Sequence, residues 1–148
     1  MSGHAVRELG VGETALAFDA MRELRPHFGD EAGFVARVDE LQRPEGYRLV
    51  AAFLAGEQRG GAVAGFRILH NLPWGRALYV DDLSTRPDAR RRGLAGALMG
   101  WLLEEARREE CDQLHLDSAV GPERQDAHRL YFNHGLRISA HHFQIELR

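Results

Sequence analysis

Asp82-Leu83-Ser84-Thr85-Arg86-Pro87-Asp88-Ala89-Arg90-Arg91-Arg92-Gly93-Leu94-Ala95-Gly96-Ala97-Leu98 runs from an apolar strand, through a short basic turn with glycines, into a helix that opens at that turn. A helix N-terminus exposes unpaired backbone N–H groups and carries partial positive charge, so it can receive a phosphate. Gly93 lets the backbone approach a ligand that a side chain would obstruct. The three arginines 90–92 add charge of the right sign. The stretch reads as a pyrophosphate-binding loop, with a solvated basic turn as the plainer alternative. Neither common phosphate motif fits. A P-loop needs Lys-Ser or Lys-Thr after its last glycine, and the dinucleotide fingerprint needs a glycine ahead of Gly93 and Gly96.

Working outward, residues 76–85 form the strand that feeds the turn, and residues 94–110 form the helix that leaves it. Leu94, Leu98, Leu102 and Ala106 mark one face of that helix. Upstream, residues 5–9 suit a short strand. Residues 13–28 place Leu16, Ala20, Met21 and Leu24 at helical spacing, ending at Pro26 and Gly29. Asp30 can cap a second helix bearing Phe34, Val35, Val38 and Leu41. Residues 47–54 and 62–69 are nearly continuous apolar runs joined by a glycine-bearing turn, which predicts an antiparallel hairpin covered on both faces. Downstream come a short strand at residues 114–118 and a helix over 122–134 with Gly135 as its stop. More strand material follows at Ile138 and residues 142–147, where Phe143, Ile145 and Leu147 alternate. The expected fold is α/β (α+β): a mixed, mostly antiparallel sheet of about six or seven strands, with about four helices on both faces.

At 148 residues the chain fits one compact domain, expected to span residues 1–148. Its 44% hydrophobic and 28% charged residues place it among ordinary globular proteins. A net charge of −3 gives general nucleic-acid binding no support. No apolar stretch approaches the roughly 20 residues that cross a bilayer, and the first residues lack the apolar core of a signal peptide. Cys111 is the only cysteine, which fits a reducing cytoplasm and a structural rather than nucleophilic role. The eight histidines show no metal-ligand spacing, so no metal is expected.

Arg90, Gly93 and Ala95 form Arg-x-x-Gly-x-Ala, which resembles the acetyl-CoA loop of the GNAT superfamily of N-acetyltransferases, whose pattern is Gln/Arg-x-x-Gly-x-Gly/Ala. About 40 residues on, Ala127, Tyr131 and Gly135 resemble that family's Ala-x-x-x-Tyr-x-x-x-Gly-Phe helix, with Leu136 in place of Phe. The order of elements is similar to the family core over nearly the whole chain. One departure is the absence of an asparagine ahead of the tyrosine helix, where Arg124 or Gln125 would have to make its contact with coenzyme A.

The resemblance implies a cytoplasmic, acetyl-CoA-dependent N-acetyltransferase that moves an acetyl group to a primary amine of a small molecule or peptide, directly in a ternary complex. A non-catalytic acyl-CoA-binding regulatory domain is the alternative. The backbone of Leu83, Ser84 and Thr85 would hold the pantetheine arm, whose amides mimic a strand edge. The amides of Arg90, Arg91, Arg92, Gly93, Leu94, Ala95 and Gly96 would hold the pyrophosphate. Tyr131 would protonate the departing sulfur, against a bland reading as a core-facing aromatic; an unperturbed phenol is protonated at neutral pH. An acidic base belongs on the strand of Asp81 and Asp82, or one strand later at Asp117. Neighbouring strand residues point to opposite faces, so at most one of Asp81 and Asp82 is expected to face a given site. Each can instead cap or pair with arginines. Trp74 lines an acceptor pocket or covers the core. Homodimers occur in the family; neither nucleic acid nor membrane is an expected partner.

Overall fold

The computed structural model describes residues 4–148. They fall into two compact units, one ending at Leu116 and the other Asp117–Arg148. In the first unit, β1 (Ala5–Leu9), β2 (Arg48–Phe53), β3 (Ala62–Asn71), β4 (Gly75–Thr85) and β5 (Gln113–Leu116) form a sheet in sequence order. The first four strands are antiparallel, and β4 pairs with β5 in parallel.

Continuous apolar strands predict cover on both faces, and β2 shows it. Leu49, Ala51 and Phe53 join one core with Phe18, Met21 and Phe34. That core is supplied by α1 (Phe18–Leu24) and α2 (Glu31–Arg37). Val50 and Ala52, also fully buried, point the other way. There α3 (Leu94–Arg108) lays down Leu94, Leu98, Met99 and Leu102, each about fully buried, and Trp101 packs edge-on against Phe66 at 5.7 Å. Gly61 admits this helix: a Cβ there would stand 2.6 Å from Leu94 Cδ1.

The single helix expected over residues 13–28 is instead three short pieces. A 3-10 turn over Thr14–Ala17 precedes α1, and another over Pro26–Phe28 follows it. Pro26 disfavours the helical conformation at Arg25, which sits at φ −126°, ψ 63°. Asp30 caps α2 as expected, accepting from the Gly33 amide at 2.8 Å.

In the second unit, a 3-10 turn over Pro122–Arg124 leads into α4 (Gln125–Asn133). Gly135, at φ 88°, stops it in the left-handed region. The strands expected at Ile138 and residues 142–147 are absent. Residues 136–148 have no regular structure, and the described residues hold five strands rather than six or seven. Alternation alone did not make a strand, because Phe143, Ile145 and Leu147 stay 81–91% exposed and gain nothing from burial. Among the described residues, no helix is long and apolar enough to cross a membrane.

Candidate active site

β4 carries the candidate carboxylates, and its register explains how they are aimed. Phe66 of β3 lies opposite Val80, whereas Gly65 lies opposite Asp82. Asp81 is the extra residue of a β-bulge, which breaks strict alternation. Tyr79, Asp81, Asp82 and Ser84 therefore share the α1 face, where Ser84 Oγ donates to the Ala20 carbonyl at 2.7 Å. The expectation that at most one of Asp81 and Asp82 faces a given site is corrected. Both line the same cleft of about 410 Å³, with Tyr47 and Tyr79 on its wall.

Each carboxylate has its own guanidinium. Arg67 reaches both oxygens of Asp81, at 3.2 and 2.7 Å. Arg25 Nε donates to Asp82 at 2.9 Å, and the Tyr47 hydroxyl donates to the other Asp82 oxygen at 2.7 Å. Burial pushes the Asp81 carboxyl above its ordinary value, against the pull of Arg67. Burial also drives the Tyr47 phenol well up, helped by the negative charge of Asp82, so that proton stays on oxygen. Arg25, Arg67 and Tyr47 come from three separate segments, and no spacing in the sequence announced them.

Beyond the carboxylates, β4 has a free flank. Its ladder with β5 ends at Val80 opposite Leu116, while its ladder with β3 continues to Thr85. Leu83, Ser84 and Thr85 thus lie on a strand paired on one side by the described ladders. The following turn keeps Arg86 tied to Glu57 and Asp88, and buries Ala89.

Arg90, Arg91, Arg92 and Gly93 are exposed, and the three arginines make no ion pair among the described residues. Arg91 and Gly93 both adopt positive φ, 62° and 81°. Such left-handed turns aim successive amides outward. No side chain caps α3, so its first-turn amides at Leu94, Ala95 and Gly96 keep free hydrogen-bonding capacity. Space over Gly93 is open, the nearest atom to a Cβ there being His4 Nε2 at 3.8 Å. A diphosphate fits this cradle by charge, by donor supply and by room.

In the second unit, Tyr131 is buried and accepts from Arg124 at 3.5 Å. Burial raises its phenol above the ordinary value, opposed by Arg124. Arg124 also donates to Ser118, which His128 contacts at 3.1 Å. Arg124 thus stands beside the tyrosine rather than idle at the turn. Asp117 is exposed and sits 3.4 Å from His142. Trp74 stacks on His115 at 3.6 Å and on Tyr79 at 6.3 Å, forming an aromatic stack on β4 and β5.

A model of the acetyltransferase (GNAT) family matches residues 14–136. The chain belongs to that family. No curated protein sequence matches it. Among solved structures, the GNAT chain is similar to the aminoglycoside N-acetyltransferase AAC(6')-Iy in complex with CoA, at 15% identity and TM-score 0.81, over 100% of this chain and 97% of that one. An aminoglycoside acetyltransferase, HMB0005, from an uncultured soil metagenomic sample shares 24% identity at TM-score 0.77, each chain covered in full. An acetyltransferase from Trypanosoma brucei shares 20% at TM-score 0.76, over 97% of this chain and 99% of that one. These likenesses establish the fold. Among the described residues, no cluster of three His, Cys, Asp or Glu is arranged to hold a metal ion.

Proposed function

We propose that this GNAT chain, acting as one domain over residues 1–148, transfers an acetyl group from acetyl-CoA to a primary amine, directly in a ternary complex. One observation carries the reading: the flank of β4 past Val80, released from β5, runs into an uncapped, arginine-rich helix start. Leu83, Ser84 and Thr85 offer backbone groups to a pantetheine arm. The amides of residues 90–96 and the three arginines hold the diphosphate. Coenzyme A, when bound, supplies the acetyl thioester.

The acceptor belongs in the cleft over Asp81 and Asp82. An alkylamine is protonated near neutral pH and must lose a proton before it can attack. Asp81, whose carboxyl burial holds above its ordinary value, is the better-suited base of the two, and Asp82 orients the amine beside Tyr47. Asp117 ranks below both, being exposed and beside His142. Tyr131 keeps its proton at neutral pH and serves as the acid for the leaving sulfur, with Arg124 positioning it. The solved aminoglycoside acetyltransferases support a small-molecule amine over a peptide, and aminoglycosides are the first acceptors to try.

Thiol release from acetyl-CoA, measured across aminoglycosides, polyamines, amino acids and peptides, tests the reading. Turnover with at least one amine, reduced in Tyr131→Phe while coenzyme A affinity holds, is the expected result. Tight coenzyme A binding without turnover on any amine would favour a regulatory acyl-CoA-binding domain instead. No coenzyme A binding at all would overturn both.

A further inference from the structure

The cleft over Asp81 and Asp82 carries a positive charge that no carboxylate answers. Arg25 is tied to Asp82 and Arg67 to Asp81, one guanidinium for each carboxylate. Arg37, the last residue of α2, lines the same cleft and is left over. Among the described residues its guanidinium makes no ion pair and no hydrogen bond. It lies over the ring of Phe28, with Cζ 5.8 Å from the ring centre. An aromatic face steadies a guanidinium there and leaves its N–H edge open to a planar anion.

His27, Phe28 and Arg37 line both the cleft and a neighbouring groove on α2, so Arg37 stands at the border of the two. Glu40 also lines that groove, but it forms no ion pair with Arg37 among the described residues. The cleft thus has two carboxylates on β4, an unanswered cation on α2, and apolar wall from Met21, Phe28 and Phe34.

We infer that the acceptor is a small amine that also carries a carboxylate, on an apolar body such as that of an apolar amino acid. Its amine lies over Asp81, and its carboxylate takes the open edge of Arg37. This rests on the transfer reading above and narrows the amine that reading requires. A zwitterion meets a charge of opposite sign at each end of the cleft. An aminoglycoside carries several ammonium groups at neutral pH. It has no anion for Arg37, and it adds like charge beside it.

The test uses the full chain with coenzyme A present, and it reads binding apart from turnover. N-acetylphenylalanine and its carboxamide differ only in the carboxylate, and both are titrated by calorimetry. The natural chain is expected to prefer the acid about ten-fold. Arg37→Gln should bring that ratio close to one, and Arg37→Lys should restore part of it. In turnover, phenylalanine should show a lower KM than phenethylamine, and the gap should close in Arg37→Gln. Acid preference lost in Arg37→Gln, without thiol release on any amine, would sustain this assignment and overturn the transfer reading alone. Equal binding of the two probes, binding of neither, or a preference that survives Arg37→Gln would overturn the inference. So would aminoglycosides turning over with higher kcat/KM than amino acids. Should Arg37→Gln fail to fold, the acid preference of the natural chain and its loss at high salt decide.

Discussion

Tyr47 donates its hydroxyl hydrogen to Asp82 across 2.7 Å, passing over Gly65, where β3 has no side chain. A Cβ at Gly65 would stand 1.7 Å from the Tyr47 hydroxyl oxygen and 2.2 Å from the ring carbon that bears it. The glycine is therefore a clearance, and the position of the phenol depends on it.

Gly65→Ala is expected to expel the ring, costing about 1–3 kcal/mol of stability as an overpacked core does. Turnover falls with it, since Asp82 loses a donor that fixes its orientation. Thermal unfolding together with kcat on the best acceptor checks this. An alanine variant of unchanged melting temperature and rate would mean that Tyr47 steps aside freely.

The pH profile distinguishes Asp81 from Asp82. A base works when deprotonated, and burial holds the Asp81 carboxyl above its ordinary value of 3.8. The acid limb of kcat/KM is therefore expected above that value. Arg67 pulls the Asp81 carboxyl downward, so Arg67→Gln should move the limb to still higher pH. Asp81→Asn should lower kcat/KM by about 10²–10⁴. A limb indifferent to Arg67 would assign the base elsewhere.

The cradle at the start of α3 should read out in cofactor affinity. Gly93→Val forces a branched side chain into φ 81° and fills the open space above it, so coenzyme A binding is expected to weaken. Alanine at Arg90, Arg91 or Arg92 should raise the dissociation constant about two- to five-fold each, since exposed charge pairs are screened by solvent. The dependence on salt should flatten in step. Calorimetry with coenzyme A at two ionic strengths measures both effects.

Glu105 predicts how stability varies with pH. The residue is buried on α3, where Arg48 reaches it at 2.5 Å and Arg108 also bonds it. Burial alone would raise the carboxyl, but the two guanidinium groups prevail and hold it below 4.5. A carboxyl lowered by folding stabilises the protein above its unfolded value, and that contribution drains away as pH drops through the folded one. Glu105→Gln should therefore cost about 1–2 kcal/mol at neutral pH and progressively less in acid. Denaturant unfolding at a series of pH values measures the difference.

Much of this was legible in the residues. The apolar runs of β2 and β3, the face of α3 and the glycine stop at Gly135 are local signals, and each element formed where its pattern stands. The basic turn and Tyr131 were legible as motifs. The carboxylate cleft was only half legible. Asp81 and Asp82 could be picked out as charges on an apolar strand, but their common orientation depends on a bulge specified jointly by two strands. Arg25, Arg67 and Tyr47 approach from distant segments, so only the folded chain reveals them. The tail misled for the opposite reason: its two-residue rhythm is a sound strand signal, yet a strand needs a neighbour, and rhythm does not name one.

The extra residue at Asp81 gives the cleft an unusual economy of evolution. Removing one codon there would return the strand to simple alternation, keep the side chains beyond it on their present faces, and leave the pocket with one carboxylate. The number of acidic groups facing the cleft is thus a matter of chain length at a single point in β4.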